Sequence, residues 1–460
     1  MVGPYALCVS LTPRSLDEVF SSDLSGADCA EVRLDYLTNP EESITARWDK
    51  LPVPVIATCR GKERGGQFAG SIDDEIRLLQ YAVENGAKFV DIDYRFAKPF
   101  PGADVITSFH DFEKTPEDLP SLMDKICATP GQIAKLATMV HSWSDNRRLL
   151  ELLARRWPKP TIVIGMGDTA QITRVIGPSR GSFLTYAGLN ANAAAPGQLS
   201  LREMNDVYRL RRLNASTRLV GIIGNPLGHS LSPVIHNKAF AAMDLPFVFV
   251  KFPTRDVKEF FDNALQLGVE GLSVTIPHKT TVIPFLDHLT PEAAEIGAVN
   301  TVSRRNGQWI GDNTDVDGVR ASLASVGFDP AGKVVVILGT GGASKAAVAA
   351  VKSAKRVTLL SRRDVPEAAK YPCDLLINAT PVGMSPMVDA VPFRGPIPAD
   401  VVMDMVYNPP ITRLLRSARD QGKTVIQGTT MFLAQAARQF EIWTGHRAPS
   451  EIFEEKLILT

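Results

Sequence analysis

Two lysines stand where an amine can do chemistry. Lys135 lies in the apolar run Gln132-Ile-Ala-Lys-Leu-Ala-Thr138, and Lys279 closes Ser273-Val-Thr-Ile-Pro-His-Lys279. Around Lys135 aliphatic neighbours keep water away, which disfavours an ammonium and frees the amine to attack a carbonyl, whereas Lys279 taken alone is ambiguous. A lysine that snorkels from a strand end is the competing reading. His110, in Ser108-Phe-His-Asp-Phe-Glu-Lys-Thr-Pro116, stands where a strand gives way to a loop, and imidazole suits proton transfer near neutral pH. A histidine that is merely hydrogen-bonded is the plainer alternative. Glu31, Arg33 and Asp35 alternate with Val32 and Leu34, so on a strand their charges share one face. That face is either solvated or, in a barrel, turned to the inside or the mouth.

A second set of residues points to a nucleotide. Gly339-Thr-Gly341-Gly342-Ala343-Ser344 follows Val-Val-Val-Ile-Leu and precedes an alanine-rich run, the setting in which a glycine turn brings pyrophosphate to helix amides. The next predicted strand, 356–360, ends at Ser361-Arg362-Arg363, about 23 residues beyond Gly339, where NAD-binding proteins place an acid. Two arginines there suit the 2′-phosphate of NADP, with a solvated basic turn as the alternative. Upstream, Ser230 and Ser232 are spaced i, i+2 ahead of a predicted helix, which they either cap or leave free to meet a ligand.

These groups need elements to position them. Tyr-Ala-Leu-Cys-Val and seven later β-rich runs, through Ser-Phe-Leu-Thr-Tyr-Ala, place eight strands in roughly the first 190 residues, the rhythm of a (β/α)8 barrel. Helices are predicted over 73–85 and 142–157, and a trimmed unit after Asp93, where the chain is short and Pro-rich. A last helix opens with the capping pattern Ser200-Leu-Arg-Glu203 and runs to about Leu213, followed by a polar linker at 214–217. The pattern restarts with Arg-Leu-Val-Gly-Ile-Ile-Gly and changes again near Gly332, so the second half reads as two lobes. The expected class is α/β: a TIM barrel over 1–213, a substrate lobe over 218–320 completed by 430–460, and a Rossmann lobe over 321–429.

The chain has 460 residues, 45% of them hydrophobic, with 50 basic and 50 acidic side chains. That is enough apolar content for two or three globular units, with no net field to draw nucleic acid or a membrane. Five scattered cysteines without a C-x-x-C pair suggest neither a disulfide framework nor a zinc site, so no metal is expected and a reducing cytoplasm fits. No apolar stretch approaches the roughly 18 residues of a membrane span, and no targeting segment is expected.

Four motifs in order, Glu-Val-Arg-Leu-Asp, Ser-Phe-His-Asp-Phe-Glu-Lys-Thr-Pro, Ile-Ala-Lys-Leu-Ala-Thr and Ala-Pro-Gly-Gln, resemble type I 3-dehydroquinate dehydratase across residues 4–212. The resemblance implies a Schiff base on Lys135, with His110 moving protons. It also implies that Glu31, Arg33, Arg60, Arg174 and Gln198 hold the substrate's hydroxyls and carboxylate. Asp93 stands where the family commonly has a glutamate partner for the histidine, and Ala194 where bacterial relatives have serine.

From about residue 218 onward, Ser230-Leu-Ser232, Ser-Val-Thr275-Ile-Pro-His-Lys279, Ala-Val-Asn300-Thr, Gly-Asp-Asn-Thr-Asp315, Asn378-Ala-Thr380-Pro-Val-Gly-Met and Asp-Met-Val-Tyr407-Asn-Pro-Pro resemble shikimate dehydrogenase. By that resemblance Lys279 and Asp315 are the catalytic pair. Ser230, Ser232, Thr275, Asn300, Tyr407 and Gln435 hold the substrate, and the glycine turn, Ser361 to Arg363, Asn378, Thr380 and Met431 hold NADP. The implied partners are the small molecules 3-dehydroquinate, 3-dehydroshikimate and shikimate, on a monomer or homodimer. Two rivals stay open: a quinate dehydrogenase using NAD in the second half, and a non-catalytic sensor of quinate or shikimate.

Overall fold

The computed structural model describes residues 6–189, 195–228 and 230–453. Two compact units emerge, one of 1–219 with 246–252 and 259–268, the other of 220–245, 253–258 and 269–460.

The first unit is the expected barrel. Its strands are β1 (Ala6–Leu11), β2 (Cys29–Arg33), β3 (Val55–Thr58), β4 (Phe89–Asp93), β5 (Asp104–Asp111), β6 (Ile133–Met139), β7 (Thr161–Met166) and β8 (Leu184–Gly188). All neighbours are parallel, in the order β7-β6-β5-β4-β3-β2-β1-β8. A parallel bridge between Thr161 and Ser182 closes the ring, with the Phe183 amide donating to the Thr161 carbonyl at 2.7 Å.

Side chains alternate across each strand, so every second residue enters the interior. At the start of the strands those residues are Cys29, Phe89, Ile106, Ile133, Ile162 and Leu184, members of one buried apolar cluster. One inward step later they become Glu31, Asp91, Ser108, Lys135 and Tyr186, all buried. A further step toward the strands' C-terminal ends brings Arg33, Asp93 and His110. An apolar plug therefore carries a polar layer, and the polar layer sits below the mouth.

Outside the barrel lie α1 (Leu16–Phe20), α2 (Ile72–Glu84), α3 (Leu119–Cys127), α4 (Trp143–Leu153) and α5 (Gln171–Ile176). After β4 there is only a 3-10 turn, Tyr94–Phe96, as the short Pro-rich segment implies. The helix expected to reach Trp157 stops at Leu153. The residue before Pro158 is steered out of the helical region, and the Trp157 indole donates to the Leu152 carbonyl at 2.9 Å, satisfying the exposed end. The helix expected over 200–213 keeps its capping box, with the Ser200 amide donating to Glu203 Oε2 at 2.9 Å and the Glu203 amide to Ser200 Oγ at 3.2 Å. It then becomes a π turn at Glu203–Val207 and a 3-10 turn at Leu210–Arg212, with Arg209 left-handed at φ 51°. Met204, Tyr208, Leu210 and Leu213 are all buried. On a regular helix Tyr208 and Leu210 point about 200° apart, so burying both requires the break. Strand β2 ends at Arg33 rather than Asp35, and a 3-10 turn at Leu34–Tyr36 swings Asp35 back onto Arg33.

The first unit also takes in most of β10 (Phe247–Pro253) and of α7 (Val257–Ala264), and Phe252 and Phe260 meet Trp143 edge-on with centroids 5.6 and 5.0 Å away.

In the second unit, β9 (Arg218–Gly224) and α6 (Ser232–Ala242) open the lobe. Strands β11 (Val269–Val274), β13 (Thr301–Arg305), β14 (Gln308–Asp312) and the short β12 (His288–Leu289) lie side by side in that order. Helices α8 (Pro291–Ile296) and α9 (Asp315–Ala324) follow the strands β12 and β14. The Rossmann sheet is β15 (Val334–Leu338), β16 (Arg356–Leu360), β17 (Cys373–Asn378), β18 (Ala399–Asp404) and β19 (Thr424–Ile426), all parallel, ordered β16-β15-β17-β18-β19. One face buries Val335, Ile337 and Ile377 with α9, α10 (Gly342–Ala350) and the first turn of α12 (Gly428–Thr444). The other buries Val336, Leu338 and Leu376 with α11 (Arg413–Asp420). Burial on both faces explains the unbroken apolar runs of β15 and β17. The strand order reverses between β15 and β17, and at such a switch point ligands sit beyond the strands' C-terminal ends.

Two candidate active sites

Lys135 is 4% exposed, yet its surroundings differ from the apolar setting its sequence neighbours suggest. Its Nζ lies 2.7 Å from Asp91 Oδ2 and 3.6 Å from Glu31 Oε1. The aliphatic residues beside it in sequence face the outer helices; its real neighbours arrive from other strands. Its Nζ is also 4.1 Å from the centroid of the Tyr186 ring. Asp91 also accepts from Ser108 Oγ at 2.7 Å and from Arg60 Nη2 at 3.3 Å. Burial alone would raise this carboxyl, but Lys135 first and then Arg60 hold it well below the usual range. Glu31 accepts from Ser10 at 2.8 Å and Thr58 at 3.0 Å; burial pushes it up most strongly, but Lys135 together with Arg33 and Arg60 leaves it below its ordinary value.

His110 is half-buried at the mouth, its ring stacked on Phe112 with centroids 6.0 Å apart. Burial, then the charges of Arg60 and Lys135, push it well below the ordinary imidazole value, so the ring is neutral at neutral pH. Arg174, in α5, is 2% exposed, and its Nε has no hydrogen-bond partner among the described residues. Burial lowers this guanidinium to about 10, and among the described residues no carboxylate opposes the shift. A buried cation lacking a counter-charge is a ready place for an anionic ligand.

The remaining barrel residues divide. Arg33 is forked by Asp35, Nε to Oδ1 at 2.9 Å and Nη2 to Oδ2 at 2.7 Å, and Gln198 is half-buried on the loop beyond β8. Asp93 is taken by Arg95, with both oxygens engaged at 2.9 Å, while Asp91 occupies the place beside the lysine. Ala194 lies outside the described residues. Asp91 received no role from sequence reasoning. Its signal was present in Phe-Val-Asp-Ile-Asp, where two carboxylates at i, i+2 must share a face.

In the second unit, Lys279 Nζ donates to Asp315 Oδ2. Asp315 opens α9, its amide donating to Asn313 Oδ1 at 3.2 Å. Asn300 is locked by the Thr314 amide, which donates to its Oδ1 at 2.7 Å. Its Nδ2 then reaches Asp315 Oδ1 at 2.9 Å and Gln435 Oε1 at 3.4 Å. Thr275 is half-buried at the end of β11. Ser230 is half-buried and accepts from the Ser232 amide at 3.4 Å, while Ser232 is the buried first residue of α6. Tyr407 stacks on Phe432 with centroids 4.5 Å apart, and burial raises its phenol.

The glycine turn lies at the switch point. Gly339 adopts φ +108°, open to glycine and strained for other residues, and Gly341 caps α10. A β-carbon on Gly342 would come within 3.0 Å of the Lys279 side chain, so the glycine lets the turn approach that lysine closely. Ala343 is half-buried and Ser344 is buried, with a hydroxyl that has no partner among the described residues. Ser361 Oγ donates to Asp364 at 2.5 Å, and Arg362 and Arg363 are exposed without an ion pair among the described residues. Such a turn, with two uncommitted guanidinium groups beside it, fits a 2′-phosphorylated dinucleotide.

Asn378 Oδ1 accepts from Thr380 amide at 3.1 Å and Oγ1 at 2.7 Å, which orients that loop. Its Nδ2 donates to the buried Asp404 at 2.9 Å. Asp404 also accepts from Thr412 Oγ1 at 2.6 Å and the Val406 amide at 3.1 Å, and burial pushes it up to about 6. Met431 is buried in the core with Val316, Val319 and Ile337.

Three family models match the chain: type I 3-dehydroquinase over residues 7–215, the shikimate dehydrogenase substrate binding domain over 222–302, and the shikimate 5′-dehydrogenase C-terminal domain over 428–458. A bifunctional 3-dehydroquinate dehydratase/shikimate dehydrogenase, chloroplastic, of Arabidopsis thaliana is 33% identical over 98% of this chain and 84% of its own length. A shikimate dehydrogenase (NADP(+)) of Desulforamulus reducens is 36% identical over 54% of this chain and 96% of its own. The solved shikimate 5-dehydrogenase of Thermus thermophilus, in complex with NADP(H) and shikimate, is 28% identical, covers 52% of this chain and 97% of that one, and has a TM-score of 0.46. With a barrel lysine among carboxylates and a glycine turn beside a lysine–aspartate pair, this chain belongs to the family of bifunctional 3-dehydroquinate dehydratase/shikimate dehydrogenases.

Proposed function

We propose that the barrel dehydrates 3-dehydroquinate to 3-dehydroshikimate through an imine on Lys135, and that the second half reduces 3-dehydroshikimate to shikimate with NADPH. The observation that carries the first step is the Lys135 nitrogen held below the barrel mouth beneath a neutral His110.

The Lys135 amine adds to the substrate ketone and water leaves, forming the imine. His110 takes the C2 proton, and the electron pair left behind runs into the imine. The pair returns to expel the C1 hydroxyl, which leaves as water with the proton His110 carries. Hydrolysis of the imine frees the product and the lysine. Arg174 meets the substrate carboxylate, supported by its burial without a counter-charge. Glu31, Arg33, Arg60 and Gln198 surround the ring hydroxyls, and Asp93 stays at the rim with Arg95.

In the second half, bound NADPH supplies hydride. Lys279, paired with Asp315, delivers the proton to the carbonyl oxygen that becomes the hydroxyl. Asn300, Gln435 and Thr275 orient the ring hydroxyls, with Ser230, Ser232 and Tyr407 at the carboxylate end. The residues that would hold the nucleotide are Gly339, Gly341, Gly342, Ala343, Ser361, Arg362, Arg363, Asn378 and Thr380, with Met431 supporting the floor. The domain limits 1–213, 218–320 with 430–460, and 321–429 belong to this reading, as does a monomer or homodimer in a reducing cytoplasm. Among the described residues all five cysteines are free, and no helix is long and apolar enough to cross a membrane.

The test is borohydride treatment with 3-dehydroquinate or 3-dehydroshikimate, followed by mass spectrometry of the Lys135 peptide. Reduction is expected to fix substrate on Lys135 and abolish dehydration. An unmodified Lys135 peptide with activity intact would overturn the imine. Adding 3-dehydroquinate and NADPH together is expected to consume NADPH steadily, which a non-catalytic sensor does not do.

A further inference from the structure

Tyr186 has no part in the steps above, yet it is the residue against which the lysine nitrogen rests. It lies on β8 in register with Cys8, is 4% exposed, and presents its ring to Lys135 Nζ at 4.1 Å from the centroid. Its hydroxyl is buried and bonds to nothing among the described residues. A tyrosine retained for its hydroxyl would give that hydroxyl a partner; here the ring face makes the contact.

An aromatic face attracts a cation and cannot take its proton. That separates it from Asp91 and Glu31, the carboxylates 2.7 and 3.6 Å from the nitrogen. In the imine mechanism the nitrogen is cationic as ammonium and as protonated imine, and neutral as free amine and as enamine. A ring face stabilises the cationic states and leaves the neutral ones unaided. The protonated imine is the electron sink, so keeping it protonated keeps C2 acidic.

We propose that Tyr186 is a positioning residue of the dehydratase, whose ring face seats the Lys135 nitrogen and holds its imine in the protonated form. The inference rests on the imine reading above. The other ionisable groups around the pair are Asp91 on β4, Glu31 and Cys29 on β2, Cys8 on β1, His110 on β5 and Arg60 after β3. All of them are retained in the variants below.

The test compares full-length Tyr186→Phe and Tyr186→Leu with the native enzyme. Phe keeps the ring and removes only a hydroxyl without a partner, so kcat and the pH midpoint of borohydride labelling at Lys135 stay within about twofold and about 0.3 unit of native. Leu removes the ring face, and a desolvated cation–π contact is worth roughly tenfold in an equilibrium. Its kcat is therefore expected to fall about tenfold at unchanged KM, with the alkaline midpoint of labelling about one pH unit lower. A merely structural role moves stability and leaves that midpoint in place.

If the Leu variant fails to fold, a series of fluorinated phenylalanines at position 186 drains the ring face at constant shape, and kcat is expected to decline stepwise with fluorine count. A native midpoint and kcat in the Leu variant, equal loss in Phe and Leu, or no trend with fluorination each overturns the inference. Absence of any label on native Lys135 defeats the imine reading itself and is recognised before the variants are compared.

Discussion

Replacing Asp91 with asparagine tests the barrel's polar layer most directly. The substitution keeps the side chain's shape, and the asparagine carbonyl still accepts from Ser108. It removes the carboxylate that lies 2.7 Å from Lys135 and 3.3 Å from Arg60, leaving Glu31 at 3.6 Å as the nearest anion to the lysine. At an effective dielectric near 20, two unit charges 2.7 Å apart attract by about 6 kcal/mol. Relaxation and water entry offset part of this, and deleting one partner of a buried pair typically costs ~3–5 kcal/mol. That range is the expected loss of unfolding free energy at pH 7. Urea unfolding, followed by the fluorescence of Trp48, Trp143 and Trp157 in the first unit, measures it. The pH dependence supplies a sign. Asp91 is depressed in the folded state, so its contribution is complete above its unfolded value, near 3.9, and disappears as pH falls through the folded one. The gap between native and variant is therefore widest at neutral pH and narrows in acid below about pH 4. A stability change under ~0.5 kcal/mol at pH 7, or a gap that widens in acid, would refute this account of the polar layer.

Lys279→Ala and Asp315→Ala are each expected to cut shikimate oxidation by roughly 10²–10⁴-fold while dehydration stays near native; equal loss of both activities would contradict separate sites. Because His110 is pushed below the ordinary histidine value and is the base of the proposed mechanism, dehydratase kcat/KM should hold as pH falls through 6.5 and decline only below it, a profile measured by product absorbance. An acid midpoint above 6.5 would count against the free-enzyme environment described for His110. Arg362→Ser with Arg363→Ser should raise the KM for NADPH about 10–100-fold and leave that for NADH nearly unchanged, since only the phosphate contact is removed. Parallel weakening of both cofactors would place the phosphate elsewhere.

Much of this was legible before any coordinates. Each barrel strand is a short β-rich run with its own turn signals, and the glycine turn between β15 and α10 announces itself because only a backbone free of side chains can approach a phosphate. What escaped depends on distant neighbours. Lys135 looks desolvated from its own strand, since Ala134 and Leu136 point at the outer helices, whereas Asp91 and Glu31 come from two other strands. Asp91 and Asp93 share a face of β4 and are alike in sequence; depth along the barrel separates them. Asp93 lies one step nearer the rim, where Arg95 can reach it, and Asp91 lies at the level reached by the lysine. The irregular run after Ser200 hides for a similar reason, because its capping box is local while the burial of both Tyr208 and Leu210 is imposed from outside.

The two-residue alternation inside the barrel also determines where this chain can change in length. Inserting or deleting one residue within β2, β4 or β6 would turn Glu31, Asp91 or Lys135 toward the helices and bring an aliphatic side chain into the polar layer. Indels in the domain must therefore fall in the connections, and of these the ten residues 94–103 between β4 and β5 are the shortest in the barrel. A deletion scan through the barrel should read as eight forbidden windows, each about as long as a strand, separated by permissive gaps.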